Sequence, residues 1–137
     1  MRRMMMTAAM CAVLAAGCGG KGPSEKAQTP TPTGPLASIQ TGIFTPRCAT
    51  QDGCHRGVSA AGGLDLTAAH AYENLVNAKA TRRPDRLRVS PGHPESSYLV
   101  ERLTAAGDTP QMPMGGTPLT PQEEEQIRSW IRSGAPR

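Results

Sequence analysis

The densest chemistry in the 137-residue chain lies between Cys48 and His55, which read Cys-Ala-Thr-Gln-Asp-Gly-Cys-His. Two thiols followed at once by an imidazole suit covalent haem attachment. The thiols add to the two vinyl groups, and the adjacent histidine reaches the iron. The usual spacing leaves two residues between the cysteines, whereas five separate Cys48 from Cys54. The same pair can instead close a disulfide in an oxidising compartment. A zinc site from Cys48, Cys54, His55 and His93 is a third arrangement, but the cysteine gap exceeds the common two to four residues. No Ser-His-Asp set and no paired-carboxylate pattern stands out. Glu123, Glu124 and Glu125 read as a capped helix start, not as catalytic acids.

The meaning of the cysteines depends on where the chain resides. Arg2 and Arg3 precede a short uncharged apolar run that ends in Leu14-Ala15-Ala16-Gly17-Cys18. A basic flank, a short apolar stretch and small residues form an export signal, too short to span a bilayer as a helix. Leu14 to Cys18 also resembles the bacterial lipobox, with Ala15 where leucine is more common. That resemblance implies a signal peptide over residues 1–17 and lipidation of Cys18. The chain is then expected to be exported and lipid-anchored to a bacterial membrane, facing the periplasm. Gly19 gives no inner-membrane retention cue, which favours the outer membrane. Residues 18–35 form a Pro/Thr/Gly-rich linker that cannot bury enough surface to fold and should be extended.

With Cys11 in the signal and Cys18 acylated, only Cys48 and Cys54 remain for the folded part, residues 36–137. Loss of Arg2 and Arg3 takes the basic residues from 15 to 13 against 11 acidic ones, so the net charge falls from +4 to +2. No nucleic-acid partner is expected at that charge. The cluster Arg82, Arg83, Arg86 and Arg88 reads as a solvated face or loop.

Four short helices are expected to position the chemistry. The first runs from Leu36 to about Thr45, with Leu36, Ile39 and Ile43 at helical spacing and Pro46 ending it. The second runs from Thr67 to about Asn77, capped at Thr67. The third spans Pro94 to about Leu103, with His93 as its cap and Leu99, Val100 and Leu103 as its apolar stripe. The fourth starts with Thr120 as cap, Pro121 at the first position and Glu123 completing a capping box, and ends at Gly134. His70 falls on a helix and is expected to face solvent. Tyr72, Tyr98 and Trp130 read as core. No segment alternates with a strand's period, so the fold class is all-α, with short helices and long irregular loops.

The order of motifs carries a resemblance. Ile43-Phe44 precedes Cys48…Cys54-His55. Then come a Gly-rich loop, Leu64-Asp65-Leu66, Val89-Ser-Pro-Gly-His-Pro-Glu-Ser-Ser-Tyr-Leu99, Met112-Pro113-Met114-Gly115-Gly116 and Trp130-Ile131-Arg132-Ser133-Gly134-Ala135. This resembles the small c-type cytochrome domains of exported planctomycete and myxobacterial proteins, over roughly Ile39 to Ala135. The resemblance implies a cytochrome c-like fold around haem c, with Cys48 and Cys54 as thioether attachment points. His55 matches the proximal iron ligand. Met112 matches the distal ligand, where a soft thioether favours ferrous iron. Met114 is the alternative, and His70 or His93 could take the same sixth position.

Three functions follow from these readings. The first is a membrane-tethered monohaem c-type cytochrome that passes electrons to a redox partner protein. The second is a haem-free exported lipoprotein with a Cys48–Cys54 bridge, serving as a structural or binding module. The third is a peroxidase-type enzyme, disfavoured because no distal His-Arg arrangement is evident. The chain has four aromatic residues, Phe44, Tyr72, Tyr98 and Trp130. So small an aromatic core favours a large apolar cofactor, since small domains usually need a staple and a short disulfide loop supplies little.

Overall fold

The computed structural model describes residues 34–51, 53–105 and 110–137. The expected signal, the lipidation site Cys18 and all but the end of the linker lie outside these residues.

Helix α1 (Pro35–Ile39) opens with Gly34 at φ 65° and Pro35 in its first turn. The positive φ is one that glycine reaches without a Cβ clash. Pro46 does not end this helix, as its type suggested. The chain continues as a π-helical segment, Gln40–Cys48, with Pro46 inside it. In an ordinary helix the proline ring strikes the carbonyl four residues earlier. The wider π turn relieves that clash, and the Ala49 N–H closes the segment by donating to the Phe44 carbonyl at 2.7 Å. The buried Gln40 amide reinforces it, donating to Thr45 Oγ1 at 3.0 Å and to the Leu66 carbonyl at 2.9 Å.

The second helix is shorter than its periodicity suggested: α2 is Ala71–Leu75. Asp65 Oδ1 accepts the Thr67 N–H at 2.9 Å, and the Thr67 carbonyl accepts from His70 and Ala71. That arrangement makes a turn where a helix start was expected. Beyond α2 the backbone pairs instead of coiling. Val76 bridges Val89 in parallel and Lys79 bridges Leu87 in antiparallel. These are isolated bridges, and the described residues form no sheet.

The third expected helix is broken in two. A 3₁₀ turn covers Pro94–Ser96, and α3 runs from Tyr98 to Thr104. The break falls at Ser97, which is 1% exposed. Its hydroxyl accepts the Ser90 N–H at 2.9 Å and donates to the His93 carbonyl at 3.0 Å. His93 makes no side-chain cap and is exposed, so the capping role read for it is not played. The structuring side chain in this turn is Ser97.

Helix α4 (Pro121–Arg132) forms as its signals indicated. Thr120 Oγ1 accepts the Glu123 N–H at 3.2 Å, and Glu123 Oε2 accepts the Thr120 N–H at 2.7 Å. Helix α4 packs against both α1 and α3. Its buried face of Ile127, Trp130 and Ile131 meets a core that includes Leu36, Ile39, Ile43, Phe44, Leu99 and Leu103. The Trp130 indole donates to the Pro136 carbonyl at 2.7 Å, which satisfies its polar edge inside the core. No helix among the described residues is long and apolar enough to cross a membrane.

Candidate functional site

Cys48 ends the π segment, and the backbone then folds back on itself. The His55 N–H donates to the Cys48 carbonyl at 3.1 Å. That bond brings the two ends of the motif side by side. The Leu66 N–H holds the far side by donating to the His55 carbonyl at 2.9 Å. Cys54 is fixed in turn, its N–H to the Gln51 carbonyl and its carbonyl to the Ala61 N–H.

The His55 ring is oriented. Its Nδ1 lies 3.2 Å from the Leu64 carbonyl. A carbonyl can only accept, so Nδ1 carries the proton and Nε2 keeps its lone pair. Burial pushes the imidazole pKa below its ordinary value, and the positive charges of Arg88 and Arg102 add to that effect. The ring is thus held neutral, the form that ligates metals.

Cys48 and His55 open onto one cleft of about 990 Å³, the solvent at its mouth included. Its wall is largely apolar, built by Leu64, Leu66, Leu75, Leu99 and Leu103. Met112 and Met114 line it as well. The two methionines differ in setting. Met112 is half-buried against the core, and its N–H donates to the Arg102 carbonyl at 2.8 Å. Met114 is 72% exposed. Cys54 is half-buried and lies outside the described lining.

Cys48 and Cys54 are free thiols, so the bridge required by the haem-free reading is not formed. Nor does the zinc arrangement assemble. Among the described residues no three His, Cys, Asp or Glu side chains gather to hold a metal ion. His70, like His93, is exposed, and neither lines the cleft.

Burial pushes the Cys48 thiol up to about 11, against the lowering effect of Arg47. A raised thiol pKa means that the folded chain holds the proton more tightly than the unfolded one. The stabilisation is complete below the unfolded value of 9.0 and is lost as pH rises towards about 11. Iodoacetamide should therefore label Cys48 slowly in folded, haem-free protein at pH 8, and faster as the pH approaches 11. Peptide mapping of the labelled chain reads this, and labelling at pH 8 as fast as in urea would contradict it.

Two arginines brace the surroundings. Arg47 donates to both Glu123 carboxylate oxygens, at 2.9 and 3.2 Å, and to the Thr117 and Pro118 carbonyls, each at 2.9 Å. It joins the segment before Cys48 to the start of α4 and to the loop after Met114. Arg88 donates to the Asn74 and Gly62 carbonyls at 2.8 and 2.9 Å and to Thr81 Oγ1 at 3.1 Å. The basic cluster is therefore not one solvated face. Arg88 turns into the cleft wall, Arg83 pairs with Asp85 and Arg86 pairs with Glu101.

Residues 53–114 match a family described as planctomycete cytochrome C. The match spans less than half of the chain. The cytochrome match takes in Cys54, His55, Met112 and Met114, and begins after Cys48. Neither the curated proteins nor the solved structures contain a match to the chain.

Four residues around the cleft were not assigned to it from sequence. Arg47 and Arg88 act on partners far along the chain, from 7 to 76 residues away. Tyr98 was read only as core, and Arg102 lay beside an apolar stripe. Both line the cleft. The i,i+4 spacing of Tyr98 and Arg102 on one helix is the signal that would have joined them.

Proposed function

We propose that the chain is a membrane-tethered monohaem c-type cytochrome that carries electrons to and from a redox partner protein, with a cytochrome c-like fold around haem c. The observation that carries this reading is the cleft itself. An apolar wall surrounds one oriented, neutral imidazole and a half-buried thioether. That donor set, an imidazole nitrogen and a soft thioether sulfur, suits haem iron. The apolar lining suits a large flat macrocycle.

In this reading Cys54 and Cys48 hold the group by thioether bonds, His55 is the proximal ligand and Met112 the distal one. The bound group would supply reversible one-electron chemistry at iron. The chain supplies the rest. The Leu64 carbonyl fixes the proton on His55 Nδ1, and the leucine wall excludes water. Arg102 holds the Met112 backbone. With His55 and Met112 both holding the iron, no open site would remain for substrate, which supports a carrier over a peroxidase. The family match points the same way. The tether is the lipid on Cys18 with the linker 18–35 behind it, and the place of work is the periplasmic side of a bacterial membrane.

Protein produced with cytochrome c maturation factors tests the proposal. A pyridine haemochrome spectrum should show one covalently bound haem per chain, and absence of haem would overturn the reading. Met112→Ala should abolish the long-wavelength sulfur-to-iron absorption of the ferric protein and lower its reduction potential. Retention of that band would transfer the distal role to Met114.

A further inference from the structure

Tyr98 and Arg102 stand one turn apart on α3 and both line the cleft. Tyr98 is 8% exposed. Its hydroxyl and Arg102 Nη1 are buried, and neither has a hydrogen-bond partner among the described residues. Leaving a buried polar group without a partner costs roughly 1–3 kcal/mol, and more for a charged one. Two such groups on one face of one helix point to a missing acceptor.

We infer that Tyr98 and Arg102 form a carboxylate-binding subsite in the cleft, which receives a propionate of haem. The chemistry of the pair sets the ligand class. A guanidinium has donors and no acceptor, and a phenol is a good donor. Together they match a planar anion with two oxygens. The rest of the cleft wall is mainly apolar, so the occupant must be a large apolar body with carboxylates at its edge. Of the other cations in the lining, Arg88 is already engaged by carbonyls and Arg82 is exposed. Glu101, next to Arg102 in sequence, is paired with Arg86. The subsite rests on the reading of the cleft as a haem site and adds a positioning role to it. The Arg102 carbonyl accepts the Met112 N–H, so one residue links the propionate to the backbone of the distal ligand.

The guanidinium also offsets the carboxylate's negative charge beside the iron. Without it, that charge favours the ferric state. Haem-loaded full-length protein and its Arg102→Gln, Arg102→Lys and Tyr98→Phe variants should be compared by haemochrome content, resonance Raman spectroscopy and equilibrium reduction potential. Arg102→Gln is expected to shift the propionate-bending band and lower the potential. Arg102→Lys should restore the potential in part without restoring the band, since it replaces a planar fork with a point charge. Tyr98→Phe should shift the band with a smaller fall in potential. It also keeps the helix and the ring, so it still reports if the arginine variants fail to fold. Variants that carry haem with unmoved band and potential would overturn the subsite and leave the haem reading intact. Wild-type protein without haem would overturn both.

Discussion

Replacement of His55 with alanine is expected to remove axial ligation from the proposed haem while leaving the helical core folded. The ring contributes little to the core that α1, α3 and α4 build, since His55 is only half-buried and lies at the cleft. Its weight in the proposed function is large. Loss of a hydrogen bond that merely orients a metal ligand typically weakens metal sites by 10–100-fold. Loss of the ligand itself should exceed the upper end, at more than about 100-fold in the yield of low-spin haem protein. Two measurements decide the matter. Far-ultraviolet circular dichroism should match that of the wild-type chain, and the low-spin absorption spectrum should be lost. A His55→Ala protein with an unchanged low-spin spectrum would move the proximal role elsewhere and refute the assignment. The exposed His70 and His93 offer no ready substitute.

Trp130→Ala should be the most damaging single change to the core. Trp130 is 2% exposed, and α4 packs against both α1 and α3. Truncating a buried tryptophan costs about 3–5 kcal/mol. The substitution also removes the partner of the Pro136 carbonyl. Domains of this size are commonly stable by only about 5–15 kcal/mol, so much of the total is at stake. Thermal unfolding should show a midpoint lower by roughly 4–8 °C for each kcal/mol lost. Trp130→Phe keeps an aromatic ring and gives up the indole hydrogen bond, so it should fall well short of the alanine variant. A loss below about 1 kcal/mol for Trp130→Ala would mean that α4 is not what closes the core.

Helix α4 was legible in sequence because every signal at its start agreed. Thr120, Pro121 and Glu123 are local, and a capping box needs nothing from the rest of the fold. The first helix was misjudged at Pro46 because the rule for proline assumes an ordinary helical turn. The π segment is held by Gln40, whose partner at Leu66 lies 26 residues away. The second helix was read too long because Thr67 has the type of a cap but sits in a turn made by Asp65. At the site, Cys54 and His55 were readable as neighbours. The return of Cys48 to their side depends on one backbone bond across the loop. Tyr98 and Arg102 were missed for a different reason. Periodicity marks an apolar stripe, and it cannot show which polar residues at its edge will be buried.

The described chain closes on itself. Gly34 lies so near Arg137 that a Cβ on it would sit 3.6 Å from the Arg137 carbonyl oxygen. The Arg137 guanidinium in turn stacks 4.5 Å above the Tyr72 ring and pairs with Glu73. In topological terms the domain is nearly a ring, and the gap between its first and last described residues is not a seam in its packing. The order of synthesis is therefore a poor guide to the order of support. Helix α4, near the end of the sequence, is the neighbour on which α1 comes to rest.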